Sequence, residues 1–235
     1  IHAQHHIAAG YIASMNSIFY NDPFEGDLEL HEQIRDTQYK HVLTINPTLP
    51  GWKRDIEEGM KRFNIQGVRI YPTYHRYKMC SKEVSELCHE LRLLGLPLFV
   101  TIRLEDERLE YVYQSVPLDL EDLQQFISNE ADDLDIVLLN LRFREVTLIK
   151  EELLRHSRVY FDTSGLKDRV FVLQEIQKIV LLDKILFGSE YPLYTFKSTI
   201  SLVEMADISE TDKQKILSEN VKGLVLSSSE FRAKI

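Results

Sequence analysis

Residues 97–106 read PLFVTIRLED. Successive side chains of an extended strand point to opposite faces. Thr101 and Arg103 therefore share one face, and Val100, Ile102 and Leu104 take the other. The polar pair falls at the carboxyl end of the run, and a helix-patterned stretch follows. The same arrangement returns at residues 10–16, 41–46, 65–71, 136–143, 159–164 and 185–190. There the polar sets are Ser14 with Asn16, Thr44 with Asn46, Arg69 with Tyr71, Asn140 with Arg142, Asp162 with Ser164, and Glu190. Strands separated by helices pair in parallel through right-handed crossovers. A doubly wound open sheet would give the same string, but it gathers ligands at one switch point. Here polar residues end every run, as they do where α/β barrels build their active sites. The pattern predicts a (β/α)8 TIM barrel with parallel strands, residues 1–235 forming a single barrel domain. Seven runs are visible where a closed barrel has eight, so a first strand and helix are expected to be missing from this sequence.

The stretches between the runs carry helical spacing. Trp52, Ile56, Met60 and Phe63 repeat at the helical period, as do Leu120, Leu123, Phe126 and Ile127. Ser81, with Glu83 and Glu86 behind it, opens another helix, and Ser209 caps the last one. Residues 22–27, with Asp-Pro and Gly-Asp pairs, read as a loop before the helical LELHEQIRD.

Composition excludes several partners. The chain of 235 residues carries a formal charge of −9, and nucleic-acid binding normally needs a basic stripe or patch. No apolar stretch reaches membrane length, and no signal-peptide pattern is present. Cys80 and Cys88 would stand roughly 12 Å apart along one helix, too far for a disulfide. These features point to a cytoplasmic protein with a small-molecule partner, and they leave homo-oligomer formation open.

The run DKILFGSEYP, followed by ISETDKQKILSENVKGL, resembles the C-terminal end of the amidohydrolase-related family. There the motif is typically FGSDYP. GVRIYPTYH, PLFVTIRLED, DIVLLNL and VYFDTSG resemble, in order, that family's fourth to seventh strand segments. The resemblance implies a TIM-barrel metal-dependent hydrolase or decarboxylase. Its metal ligands come from a His-x-His on the first strand, histidines on the fifth and sixth, and an aspartate on the eighth. This chain offers Thr101 or Arg103, then Asn140, then Glu190 at the last three positions, and His2, His5 and His6 have the wrong spacing for the first. No metal ligand or cofactor is predicted from these residues, and zinc would require upstream histidines.

The side chains favour an anion instead. A guanidinium has no acceptor for a cation and binds carboxylate or phosphate as a fork. Arg69, Arg103 and Arg142 fall on the polar faces of three runs, with Arg108 just beyond. They can bind a ligand, or form an internal ion-pair belt with Glu105, Asp106, Asp162 and Glu190. The expected substrate-binding residues are Arg69, Tyr71, Arg103, Asn140, Arg142 and Asp162. Glu190 is the candidate general base on water, and His75 in the loop YPTYHRY is the candidate proton shuttle. His75 stacking on Tyr74 or Tyr77 is the structural alternative. The resulting expectation is a hydrolase acting on a small carboxylated substrate, in a family that includes metal-independent lactone hydrolysis. The alternative is an inactive barrel that binds a small anion.

Overall fold

The side chain of Asp22 accepts a hydrogen bond from the backbone N–H of Phe24 at 3.1 Å, and Pro23 follows at the first helical position. Helix α1 therefore starts at once and spans Pro23–Ile34, since proline there gives up only an N–H that the helix end would leave unmade. The loop expected over residues 22–27 is thus the first turn of a helix, with Gly26 and Asp27 buried in it. The computed structural model describes residues 7–104, 115–169 and 171–224. They belong to two compact units, Ile1–Tyr71 and Pro72–Ile235.

The first unit contains strands β1 (Gly10–Ala13), β2 (Tyr39–Thr44) and β3 (Val68–Ile70), with α1 and α2 (Trp52–Phe63) in the crossovers. β1 pairs in parallel with β2, and β2 with β3. Leu43, Ile45, Ile56, Ile65 and Val68 are fully buried between the layers. One polar cluster lies inside. Both oxygens of the buried Asp27 are used: Oδ1 meets His41 Nε2 at 2.8 Å, and Oδ2 accepts from Ser17 Oγ at 2.8 Å and from the Thr44 backbone N–H at 3.3 Å. The His41 ring lies flat on Phe63, with centroids 5.0 Å apart. Asp27 thus fastens α1 to the end of β2.

The second unit opens with the short α3 (Pro72–His75) and continues through α4 (Lys82–Leu94), β4 (Leu98–Thr101), α5 (Leu120–Glu130) and β5 (Ile136–Leu139). It goes on through α6 (Phe143–Leu148), α7 (Lys150–Arg155), β6 (Val159–Asp162), α8 (Val172–Ile176), β7 (Ile185–Leu186), α9 (Phe196–Glu204) and α10 (Glu210–Gln214). Strands β4 to β7 pair in parallel in chain order. Every predicted run overlaps one strand. Ser81, Asp119 and Ser209 cap their helices by accepting from a backbone N–H three residues on. The core is Leu87, Val100, Leu123, Phe126, Leu138 and Phe161, all essentially without solvent contact.

Every strand ends before its run does. β5 stops at Leu139, because Asn140 turns into the left-handed region with φ 64° and Arg142 already stands at the N-cap of α6. Alternation therefore does not carry from Asn140 to Arg142. No helix among the described residues is long and apolar enough to cross a membrane.

Candidate functional site

At the carboxyl ends of β4 to β7 the polar side chains meet in one network. Asn140 is its centre. Its backbone N–H donates to Asp162 Oδ1 at 2.9 Å, and its Nδ2 donates to the Arg103 carbonyl at 3.1 Å and to Glu190 Oε2. Its own carbonyl accepts from Arg103 Nη1 at 2.7 Å. Asp162 Oδ1 also accepts from Ser164 Oγ at 2.8 Å. Asn140 and Asp162 are buried, whereas Glu190 is half-exposed.

Backbone shape holds this cluster in place. Asn140 and Glu190, with φ 64° and 49°, both sit in the left-handed region, where non-glycine residues are costly and cluster at functional sites. Two glycines permit the close approach. A Cβ on Gly188 would lie 1.9 Å from Asp162 Oδ2, and one on Gly165 would lie 2.3 Å from the Leu141 carbonyl. Thr163 Oγ1 donates to the Gly188 carbonyl and accepts from its N–H, at 2.9 and 3.1 Å, which ties the β6 end to the β7 end.

The sequence-predicted residues divide between the two units. Arg103, Asn140, Asp162 and Glu190 come together. Arg103 is nevertheless claimed from the other side: Nη1 and Nη2 contact Glu145 Oε2 and Oε1 at 2.9 and 2.5 Å. Arg142 contributes its backbone N–H to the same Glu145 Oε2 at 2.8 Å, and its side chain is half-buried. Glu105, Asp106 and Arg108 lie outside the described residues, as do His2, His5 and His6. His75 ends α3, between the rings of Tyr74 and Tyr77 at 5.7 and 6.4 Å. Thr73 Oγ1 donates to the Ile102 carbonyl at 2.7 Å, so α3 is fixed to the β4 end. In the first unit, the Arg69 guanidinium lies over the Tyr71 ring at 5.0 Å. That unit also holds a cavity of about 240 Å³ edged by Asn46, Trp52 and Arg54, whose guanidinium is already paired with Asp55 at 2.9 Å.

Two residues were missed by the sequence reading. Glu145 stands three residues after the N-cap of α6, a spacing at which an acid commonly supports a helix start. Lys167, in the turn after β6, had no periodic signal. Its Nζ lies 3.1 Å from the centroid of the Tyr194 ring. Desolvation pushes its pKa down to about 8, although the charges of Glu190 and Asp162 pull the other way.

Comparison with known proteins places this arrangement. Residues 41–221 match the amidohydrolase family profile. The chain belongs to the amidohydrolase family. No curated protein sequence shows significant similarity to it. Solved structures do. A TIM-barrel protein from Bordetella bronchiseptica superposes with a TM-score of 0.75 at 17% identity, over 97% of this chain and 81% of the other. A 5-carboxyvanillate decarboxylase from Novosphingobium aromaticivorans, with bound manganese, gives 0.68 at 14% identity over 93% and 77%. A 2,6-dihydroxybenzoate decarboxylase from Rhizobium gives 0.61 at 12% identity over 91% and 79%. The fold is thus that of the TIM barrels, as the alternation of runs predicted.

The family implies a divalent metal, and the residues described do not fit one. Among them, no three His, Cys, Asp or Glu side chains could hold an ion together. The strand ends carry an amide, a hydroxyl, a guanidinium and an ammonium around two carboxylates. A zinc-type ion needs three or four imidazole, thiolate or carboxylate ligands converging on one point.

Proposed function

We propose that this amidohydrolase-family chain is an enzyme acting on a small carboxylated substrate, with Glu190 as the base that takes a proton from water. The observation carrying the reading is the Glu190–Asn140 hydrogen bond at the mouth of β5 and β7. The Asn140 amide N–H fixes one oxygen of the Glu190 carboxylate in position. The left-handed backbone at Glu190 supports the same role, because a strained conformation is kept where the surrounding structure imposes it.

Asn140 orients the base. Asp162 orients Asn140 through its backbone N–H, and Arg103, locked to Glu145, supports the Asn140 carbonyl. Arg142, at the N-cap of α6, offers a half-buried guanidinium to the substrate carboxylate. His75 would relay the proton from the α3 side. Support for a carboxylated substrate comes from the names of the similar structures, decarboxylases of 5-carboxyvanillate and 2,6-dihydroxybenzoate. The departure of the donor set from a metal site favours a second reading, an inactive barrel that retains anion binding.

The test is a panel of aromatic carboxylates and lactone carboxylates, assayed for hydrolysis and for release of carbon dioxide. The wild-type protein should turn over at least one of them, and Glu190→Gln should bind it without turnover. Turnover that survives Glu190→Gln removes the general-base role. Binding without turnover by the wild type leaves the inactive-barrel reading.

A further inference from the structure

We propose that Lys167 is the positioning cation of the strand-end site, its ammonium taking the carboxylate of the substrate. The inference rests on the anionic-substrate reading above and adds a cation, besides Arg142, that receives the anion.

An ammonium carries three donors and no acceptor. Among the described residues, Lys167 Nζ makes no hydrogen bond and no ion pair. It rests on the face of Tyr194, whose π cloud satisfies its charge but none of its N–H groups in a directed way. Arg103, by contrast, is held by Glu145 and by the Asn140 carbonyl, and Arg169 is held by Glu175 at 2.6 Å. Unlike Arg103 and Arg169, Lys167 therefore has donors left to be answered.

The fold holds Lys167 in that position from both sides. Its backbone N–H donates to the Gly165 carbonyl at 2.9 Å, closing a tight turn, and the neighbouring Leu166 is fully buried. Gly165 packs against the backbone of Asn140 and Leu141 too closely for any side chain. The platform is anchored as well, because the Tyr194 backbone N–H donates to the Glu190 carbonyl at 3.3 Å. The turn that carries the cation and the loop that carries the base thus share their supports. Glu190 and Asp162 are the acids whose charges act on the ammonium, and desolvation is the opposing influence. A bound carboxylate would supply the missing acceptors and leave Glu190 turned toward water.

The experiment uses 2,6-dihydroxybenzoate as the probe, titrated calorimetrically at pH 7 into the full chain and its variants. Wild type should bind it. Lys167→Ala should weaken binding about ten- to a hundredfold, the range of one charge-assisted hydrogen bond, and Lys167→Arg should restore most of it. The probe should also slow acylation of Lys167 by acetic anhydride, read by peptide mass spectrometry, which a merely structural lysine would not show. Equal affinity of wild type and Lys167→Ala, or no protection from acylation, overturns the assignment while leaving the anion pocket standing. No binding by the wild type overturns both.

Discussion

Arg103 and Glu145 face one another fork to fork, with both carboxylate oxygens taken by one guanidinium at 2.9 and 2.5 Å and both side chains largely buried. The pair fixes α6 on the end of β4, and through Arg103 Nη1 it holds the carbonyl of Asn140. Removing one partner leaves a buried charge without compensation, at a cost of about 3–5 kcal/mol. Glu145→Ala should lose about that much stability in urea unfolding. A loss below 1 kcal/mol would show that the pair is only a surface contact.

Glu190 is strained by its own backbone, with φ 49°. Glycine adopts that conformation freely, so Glu190→Gly should leave stability unchanged or raise it by about 1 kcal/mol while removing any turnover. A clear fall in melting temperature would mean that the carboxylate holds the fold together rather than serving chemistry.

In the first unit, Asp27 satisfies a histidine, a serine and a backbone N–H at once. Burial raises its pKa in spite of the attraction of His41. Asp27→Ala strands three buried donors and should cost about 3 kcal/mol or more, seen as a lower urea midpoint with an unchanged slope. An unchanged midpoint would contradict the assignment of this cluster as the fastening of α1 to β2.

The pH dependence follows from Lys167. Its folded pKa, about 8, lies below the ordinary value of 10.5. Between these two values the unfolded chain binds the extra proton, so this group makes stability rise with pH there. Carboxylate binding should move the opposite way and weaken as pH rises through about 8, where the ammonium is lost. Lys167→Arg should bind carboxylate with no such fall between pH 7 and 9. A wild-type affinity that stays flat over that interval would detach the lysine from the ligand.

The fold was legible because alternation and helical period are written residue by residue. Thr101 and Asp162 are the last residues of β4 and β6, Asn140 follows β5 directly, and Arg103 and Glu190 lie two and four residues beyond β4 and β7. Parity ended where the strands ended. Asn140 enters the left-handed region and Arg142 becomes a helix cap, so the face assigned to Arg142 by counting has no meaning beyond Leu139. Glu145 and Lys167 escaped because a helix's first turn and a tight turn carry no period-two signal, although both end beside the predicted residues. The start of α1 was misread because Asp-Pro and Gly-Asp are turn pairs by composition. Only the Asp22–Phe24 hydrogen bond reveals a cap.

The most direct measurement is a crystal structure of the protein soaked with 2,6-dihydroxybenzoate. The account predicts its carboxylate against Lys167 Nζ, on the Tyr194 side of Glu190, with the Arg103–Glu145 pair unbroken. A ligand bound elsewhere, or one that displaces Glu145 from Arg103 and leaves Lys167 on its ring, would contradict it.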